Sequence, residues 1–109
     1  MAVKFTLEND PQAYELRFDF NELADAEPVV GCNLLAAIAT WPNFSAGQMR
    51  GLLFALLKPA HPQVLLPEAG GLLTRDMGAV MRAMKQTLME AALLMVDEEA
   101  AEPKAPAVE

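Results

Sequence analysis

The side chains able to do chemistry are few, and most of them stand alone. His61 is the single histidine, set between Pro59 and Pro62, and Cys32 is the single cysteine. A zinc or other transition-metal centre needs three or four N, S or O ligands at characteristic spacing. Neither residue has such partners in the surrounding sequence, so His61 reads as an exposed connector residue, and no metal or other cofactor is expected. Cys32 lies beside Gly31 with no adjacent base to take its proton, and it reads as a small buried apolar residue rather than a nucleophile. A lone cysteine also leaves no internal disulfide and fits a reducing compartment. Ser45 lacks a His/Asp context, while Gln48 three residues on gives it the spacing of a capping box. Asp19, Glu22, Asp25 and Glu27 could do general acid–base work only if a cleft raised one of their pKa values. On a short helix they read instead as solvated charges complementing its positive N-terminal end. EAGG at 68–71 lacks the Lys-Ser/Thr ending of a phosphate loop. No catalytic constellation is left, and an enzyme is not expected.

The elements carrying these residues follow from periodicity. Val3, Phe5 and Leu7 alternate with Lys4, Thr6 and Glu8, and Tyr14, Leu16, Phe18 and Phe20 alternate with Glu15, Arg17 and Asp19. Asn9-Asp10-Pro11 between the two runs is a turn signal, so residues 3–20 are predicted to form an antiparallel hairpin with one apolar face. Two strands alone are marginal in water, and this pair must lie on helices. The first helix is predicted over 21–30, capped by Asp19 or Asn21 and ended by Gly31. Asn33–Thr40 reads as two helical turns, and Trp41-Pro42 breaks the chain before a helix that Ser45 caps and Pro59 ends. Met49, Leu52, Leu53, Leu56 and Leu57 form its apolar stripe. Pro67 opens a further helix, in which Gly70 and Gly71 permit close approach by a neighbour. Asp76 or Thr74 caps the longest helix, from Met77 to about Val96, with Met77, Met81, Met84, Leu88, Ala91 and Met95 at steps of four and three, a stripe that Val80, Thr87 and Leu94 widen into a face suited to core packing. The fold class is thus α+β, mainly α: a hairpin packed on about five helices. It spans residues 1–96, followed by an acidic, Pro/Ala-rich tail at 97–109 that is predicted to be disordered.

Charge layout narrows the partners. The 109-residue chain carries −7 net, divided as −5 over residues 1–31, +2 over 32–95 and −4 over 96–109. Two acidic flanks around a weakly basic middle oppose nucleic acid binding, which needs a basic face against phosphates. The longest run with few charges, Pro28–Gln48, is broken by Gly31, Asn33, Pro42 and Asn43, so no membrane span is expected. No basic segment followed by an apolar run marks export. The expected setting is a soluble protein of the cytoplasm. The Met-rich last helix suits either a core or an adaptable contact surface, because flexible thioethers fit several partner shapes.

YELRFDFNELADAE followed by GCNLL, then SAGQMRGLLFALLKPAHP, then LLPEAGGLL, in this order, resembles the small tail assembly chaperones of tailed bacteriophages and gene transfer agents. The similarity runs from about Phe5 to Met95. Phe54 stands where that family often has Trp, and Leu66 before Pro67 stands where it often has a Thr cap, a loss of ~1 kcal/mol. The resemblance implies a non-enzymatic role in the bacterial host cytoplasm during virion morphogenesis, for a phage, prophage or gene transfer agent. It implies binding of the tape measure protein, with the major tail tube protein as a further candidate, and absence from the mature virion. Many relatives also have a longer product made by ribosomal frameshifting. Such a client needs an adaptable apolar groove, for which Met49, Leu53, Phe54, Met81, Met84 and Leu88 are the expected lining if their helices are neighbours. The acids at 19–27 then gain a second reading as a solubilising rim. The alternative is a homodimeric adaptor or regulator joined through its last helix, which Met84→Glu and Leu88→Glu would split into folded monomers.

Overall fold

The computed structural model describes residues 2–8 and 10–93. It has an N-terminal two-stranded antiparallel sheet, β1 (Ala2–Thr6) and β2 (Ala13–Arg17), followed by five helices. These are α1 (Phe20–Val30), α2 (Leu34–Ala39), α3 (Ala46–Leu57), α4 (Leu66–Arg75) and α5 (Met77–Glu90). The architecture is α+β and mainly α, as the alternating and helical patterns predict. Val3 pairs with Leu16 and Phe5 with Tyr14. That register puts Val3, Leu7 and Leu16 into the core and stacks the Phe5 and Tyr14 rings with centroids 5.7 Å apart. The second strand stops at Arg17, short of the predicted residue 20, and Phe20 instead opens α1 with its ring exposed. Asn9 of the predicted turn lies outside the described residues; Asp10 forms an Asx-turn by accepting from the Gln12 N–H at 2.9 Å.

Helix ends follow local chemistry closely. Asp19 caps α1 through the Glu22 N–H, and Gly31 closes it in the left-handed region at φ 77°, where a Cβ would be strained. Ser45 and Gln48 exchange both bonds of a capping box at α3. At α4 the helix begins one residue before the expected Pro67, with Leu65 at the cap position. No side chain caps its first amides there, and Glu68 reaches back to the Leu65 N–H at 2.8 Å. Asp76 rather than Thr74 caps α5, accepting from Ala79.

Helix α3 is the hub. It packs against α1, α2, α4 and β2, and every residue from Gly51 to Leu57 is buried. A helical segment that is apolar all round is stable only inside, and Gly51–Leu57 is enclosed to that degree, while Ala46, Gly47 and Arg50 at the start of α3 are exposed. Gly51 lets α1 come close: a Cβ there would meet Val30 at 3.0 Å. The tandem glycines of α4 do less than their sequence suggests. Gly70 faces the flexible Arg50 side chain, and nothing lies within 4 Å of a Cβ at Gly71.

Helix α5 packs on both strands and on α4. Its buried face is Val80, Ala83, Met84, Thr87 and Leu88: Met84 and Leu88 of the predicted stripe turn inward, whereas Met77 at its start is exposed and Met81 half-buried. Thr87 is satisfied in the core by donating to the Ala83 carbonyl at 2.7 Å. The helix ends at Glu90, not near Val96, where Ala92 turns left-handed at φ 64° and the Leu93 N–H closes on the Leu88 carbonyl. Leu94 to Val96, Met95 among them, and the predicted tail at 97–109 lie outside the described residues. Among the described residues no helix is long and apolar enough to cross a membrane.

Candidate partner-binding surface

The acid-rich segment at 19–27 divides into two kinds of carboxylate. Asp19 is an N-cap, and Glu27 reaches over Gly31 to accept from the Leu34 and Leu35 N–H groups at the start of α2, which Asn33 also caps. Both are structural acceptors for helix amides that would otherwise lack partners. Glu22 and Asp25 differ. Neither side chain has an ion-pair or hydrogen-bond partner among the described residues, and both stand on the side of α1 that faces the α3–α4 connector.

Between that side of α1 and the connector runs a cleft of about 490 Å³. Its walls are apolar: Ala26 and Val29 from α1, Phe54 from α3, and Val64, Leu65 and Leu66 from the connector and α4. Val29 and Leu65 are 63% and 62% exposed, the two most exposed large aliphatic side chains among the described residues. Lys58 also lines the cleft, its Nζ donating to the Pro62 carbonyl at 3.1 Å and lying 5.6 Å from the Phe54 ring centroid. Its charge is therefore engaged with the protein's own groups. What remains for a partner is an apolar trough with two unpaired carboxylates along one edge.

The six residues expected to line a groove are placed differently. Leu53, Phe54, Met84 and Leu88 are buried in the core, while Met49 and Met81 are half-buried against it. Helices α3 and α5 are joined through α4 and β2, each of which packs on both, so the six do not meet as one open groove. Of the six, Phe54 alone lines the cleft. Met49 lines a second depression between α3 and α4, with Leu73, Met77 and Arg50. The homodimer alternative loses its proposed contact, because Met84 and Leu88 have no exposed surface to share.

Val29 and Leu65, which sequence reasoning passed over, left faint signals. Val29 follows Glu22 and Asp25 on one helical face, a large aliphatic residue in line with two acids. Leu65 occupies an N-cap position, where Ser, Thr, Asp or Asn is strongly preferred.

His61 is half-buried rather than exposed. Its Nε2 accepts the Glu15 backbone N–H at 3.0 Å, fastening β2 to the α3–α4 connector, and its ring lies 6.0 Å from that of Tyr14. Cys32 is only half-buried, packed on the edge of the core. Among the described residues no group of three or more His, Cys, Asp or Glu could hold a metal ion. Three carboxylates are held below their ordinary range: Asp10 by the Gln12 N–H and then Arg75, Glu15 by Arg17, and Asp76 by the Ala79 and Glu8 N–H groups. All three serve turns, caps and surface pairs away from the cleft. Comparison with protein-family models, with curated proteins and with solved structures finds no match.

Proposed function

We propose that this protein is a tail assembly chaperone of a phage, prophage or gene transfer agent. It acts by reversible binding and not by catalysis. In the cytoplasm of the bacterial host it holds a long helical client, the tape measure protein, in solution until the tail tube polymerises around it; the major tail tube protein is a second candidate client. The resemblance of segment order supports this reading. The observation that carries it is the cleft between α1 and the α3–α4 connector, where Val29 and Leu65 stand exposed above Phe54 beside unpaired acids. Apolar residues rimmed by charge are the surface expected of a binder of sticky helices. Co-expression with the tape measure protein from the same gene cluster tests the reading. The client should move from the insoluble to the soluble fraction and co-purify with this chain. Equal client solubility without the chain would remove the basis of the proposal.

A further inference from the structure

We propose that the cleft takes one amphipathic helix of the client by its apolar face, and that this helix carries Lys or Arg on the flank turned toward α1. The identity of the client rests on the chaperone reading above; the chemistry of the docked helix is argued from the cleft alone. A trough with aliphatic walls on α1 and the connector fits a helix that presents anchors at i, i+3, i+4 and i+7. The sign of the flanking charge follows from complementarity. Glu22 and Asp25 have no cationic partner among the described residues, and Lys58, the cation lining the same cleft, is held by the Pro62 carbonyl and the Phe54 ring. A helix bringing carboxylates to that edge would meet uncompensated like charge, whereas one bringing ammonium or guanidinium groups is attracted and oriented. Spacing is set as well. Asp25 and Glu22 precede Val29 by four and seven residues on α1, about 6 and 10 Å along its axis. A client helix lying along α1 therefore places its cations one and two turns from the anchor that sits between Val29 and Leu65.

The test uses the full chain and two designed helical peptides. They share Leu anchors at i, i+3, i+4 and i+7, and bear either Lys or Glu at the positions one and two turns from the central anchor. Binding is measured by calorimetry at low and at moderate salt. The Lys peptide should bind about tenfold or more tightly than the Glu peptide, and salt should weaken it. Leu65→Ser and Val29→Ser should each weaken the Lys peptide about tenfold while the far-ultraviolet dichroism of the protein is unchanged. Glu22→Gln with Asp25→Asn should abolish the preference for Lys and the salt dependence, leaving apolar binding in place. Equal affinity for the two peptides, no binding of either, or indifference to Leu65→Ser and Val29→Ser overturns the proposal. The two readings fail separately. A Leu65→Ser, Val29→Ser protein that still solubilises the tape measure protein sinks the cleft and spares the chaperone. Lys-peptide binding by a chain that leaves that client insoluble does the reverse.

Discussion

The hairpin side of the protein and the α1–α4 side are built from the same kinds of residue, yet one is closed and the other open. On the hairpin side Val3, Leu7 and Leu16 meet a helix whose Val80, Met84 and Leu88 are fully covered. Polar ties spanning the sequence lock that closure. The Glu8 N–H donates to Asp76, Arg75 pairs with Asp10, and the Glu15 N–H donates to His61. Across the α1–α4 cleft no such tie is present among the described residues, apolar side chains stay in water, and carboxylates lack partners. Sealing an apolar face takes both area and directional bonds that fix the covering element; with area alone the face stays available to another chain.

Met84→Glu breaks the closed side and carries the largest expected effect. It sets a carboxylate where no solvent reaches and no cation is placed, at a cost of roughly 4–5 kcal/mol. For a domain of this size, with total stability of about 5–10 kcal/mol, that is most of the margin. The variant should lose its cooperative thermal transition in circular dichroism. A folded monomer derived from a wild-type dimer would instead make this face an interface, and the contrast between the two sides would fail.

Gly51→Ala probes the joint between α1 and the hub. The new Cβ would stand 3.0 Å from Val30, whose branched side chain has little freedom to retreat. Ala gains up to about 1 kcal/mol in helix propensity, but forcing α1 outward costs typically 1–3 kcal/mol. The expected net is a loss of about 1 kcal/mol of unfolding free energy, read as a lower urea midpoint at unchanged slope, with a wider cleft and altered peptide binding. A stabilised variant would show that α1 is free to shift, and that the open side is looser than its close packing implies.

The sequence was informative where structure depends on neighbours a few residues away. Ser45 with Gln48 and Gly31 announced two helix boundaries, and Asp19 and Asp76 stood among two candidates each for two more, because caps are local hydrogen-bond devices. The two-residue alternation around Val3 and Leu16 likewise announced the hairpin. It was silent where partners are remote. His61 bonds to a strand 46 positions earlier, and nothing in AHPQ specifies that. Met77 and Met81 continue the stripe of Met84 and Leu88 at helical spacing, and only the positions of β1, β2 and α4 decide that the last two turn inward while Met77 stays in water. The expected groove failed for the same reason, since a stripe looks alike whether a partner or the protein's own sheet will cover it. In sequence Glu22 and Asp25 are indistinguishable from Asp19 and Glu27, and only the helix ends that take the latter two set them apart.

Acid sharpens the contrast by loosening the closed side first. Backbone N–H groups of Ala79 and Glu8, with Arg82 nearby, hold the Asp76 carboxylate below its ordinary value of 3.8. Its folded pKa is thus lower than its unfolded one, so the stabilisation is complete above the unfolded value and is lost as pH falls through the folded value. Asp10, held down by the Gln12 N–H and Arg75, adds to the loss in the same window. Urea midpoints should therefore hold from pH 7 to about pH 5 and fall below it, more steeply for the wild type than for Asp76→Asn. The variant keeps an Asn cap on α5 but gives up the charged tie to Glu8. Identical slopes for the two proteins would place the acid-sensitive groups elsewhere.

On the open side the smallest effect is also of opposite sign. Leu65→Ser removes an aliphatic side chain that is 62% exposed, so little burial is lost, and it supplies a hydroxyl at the start of α4, where no side chain caps the first amides. A Ser N-cap gains about 0.5–1 kcal/mol over an aliphatic residue, so the melting temperature should rise by a few degrees. A sequence that keeps Leu at a position where Ser would fold better gives up stability there, and the cleft edge is the feature that Leu65 builds. Should Leu65→Ser melt lower than the wild type, Leu65 would be contributing to the core of the free protein, and the α1–α4 side would belong with the hairpin side as part of one closed fold.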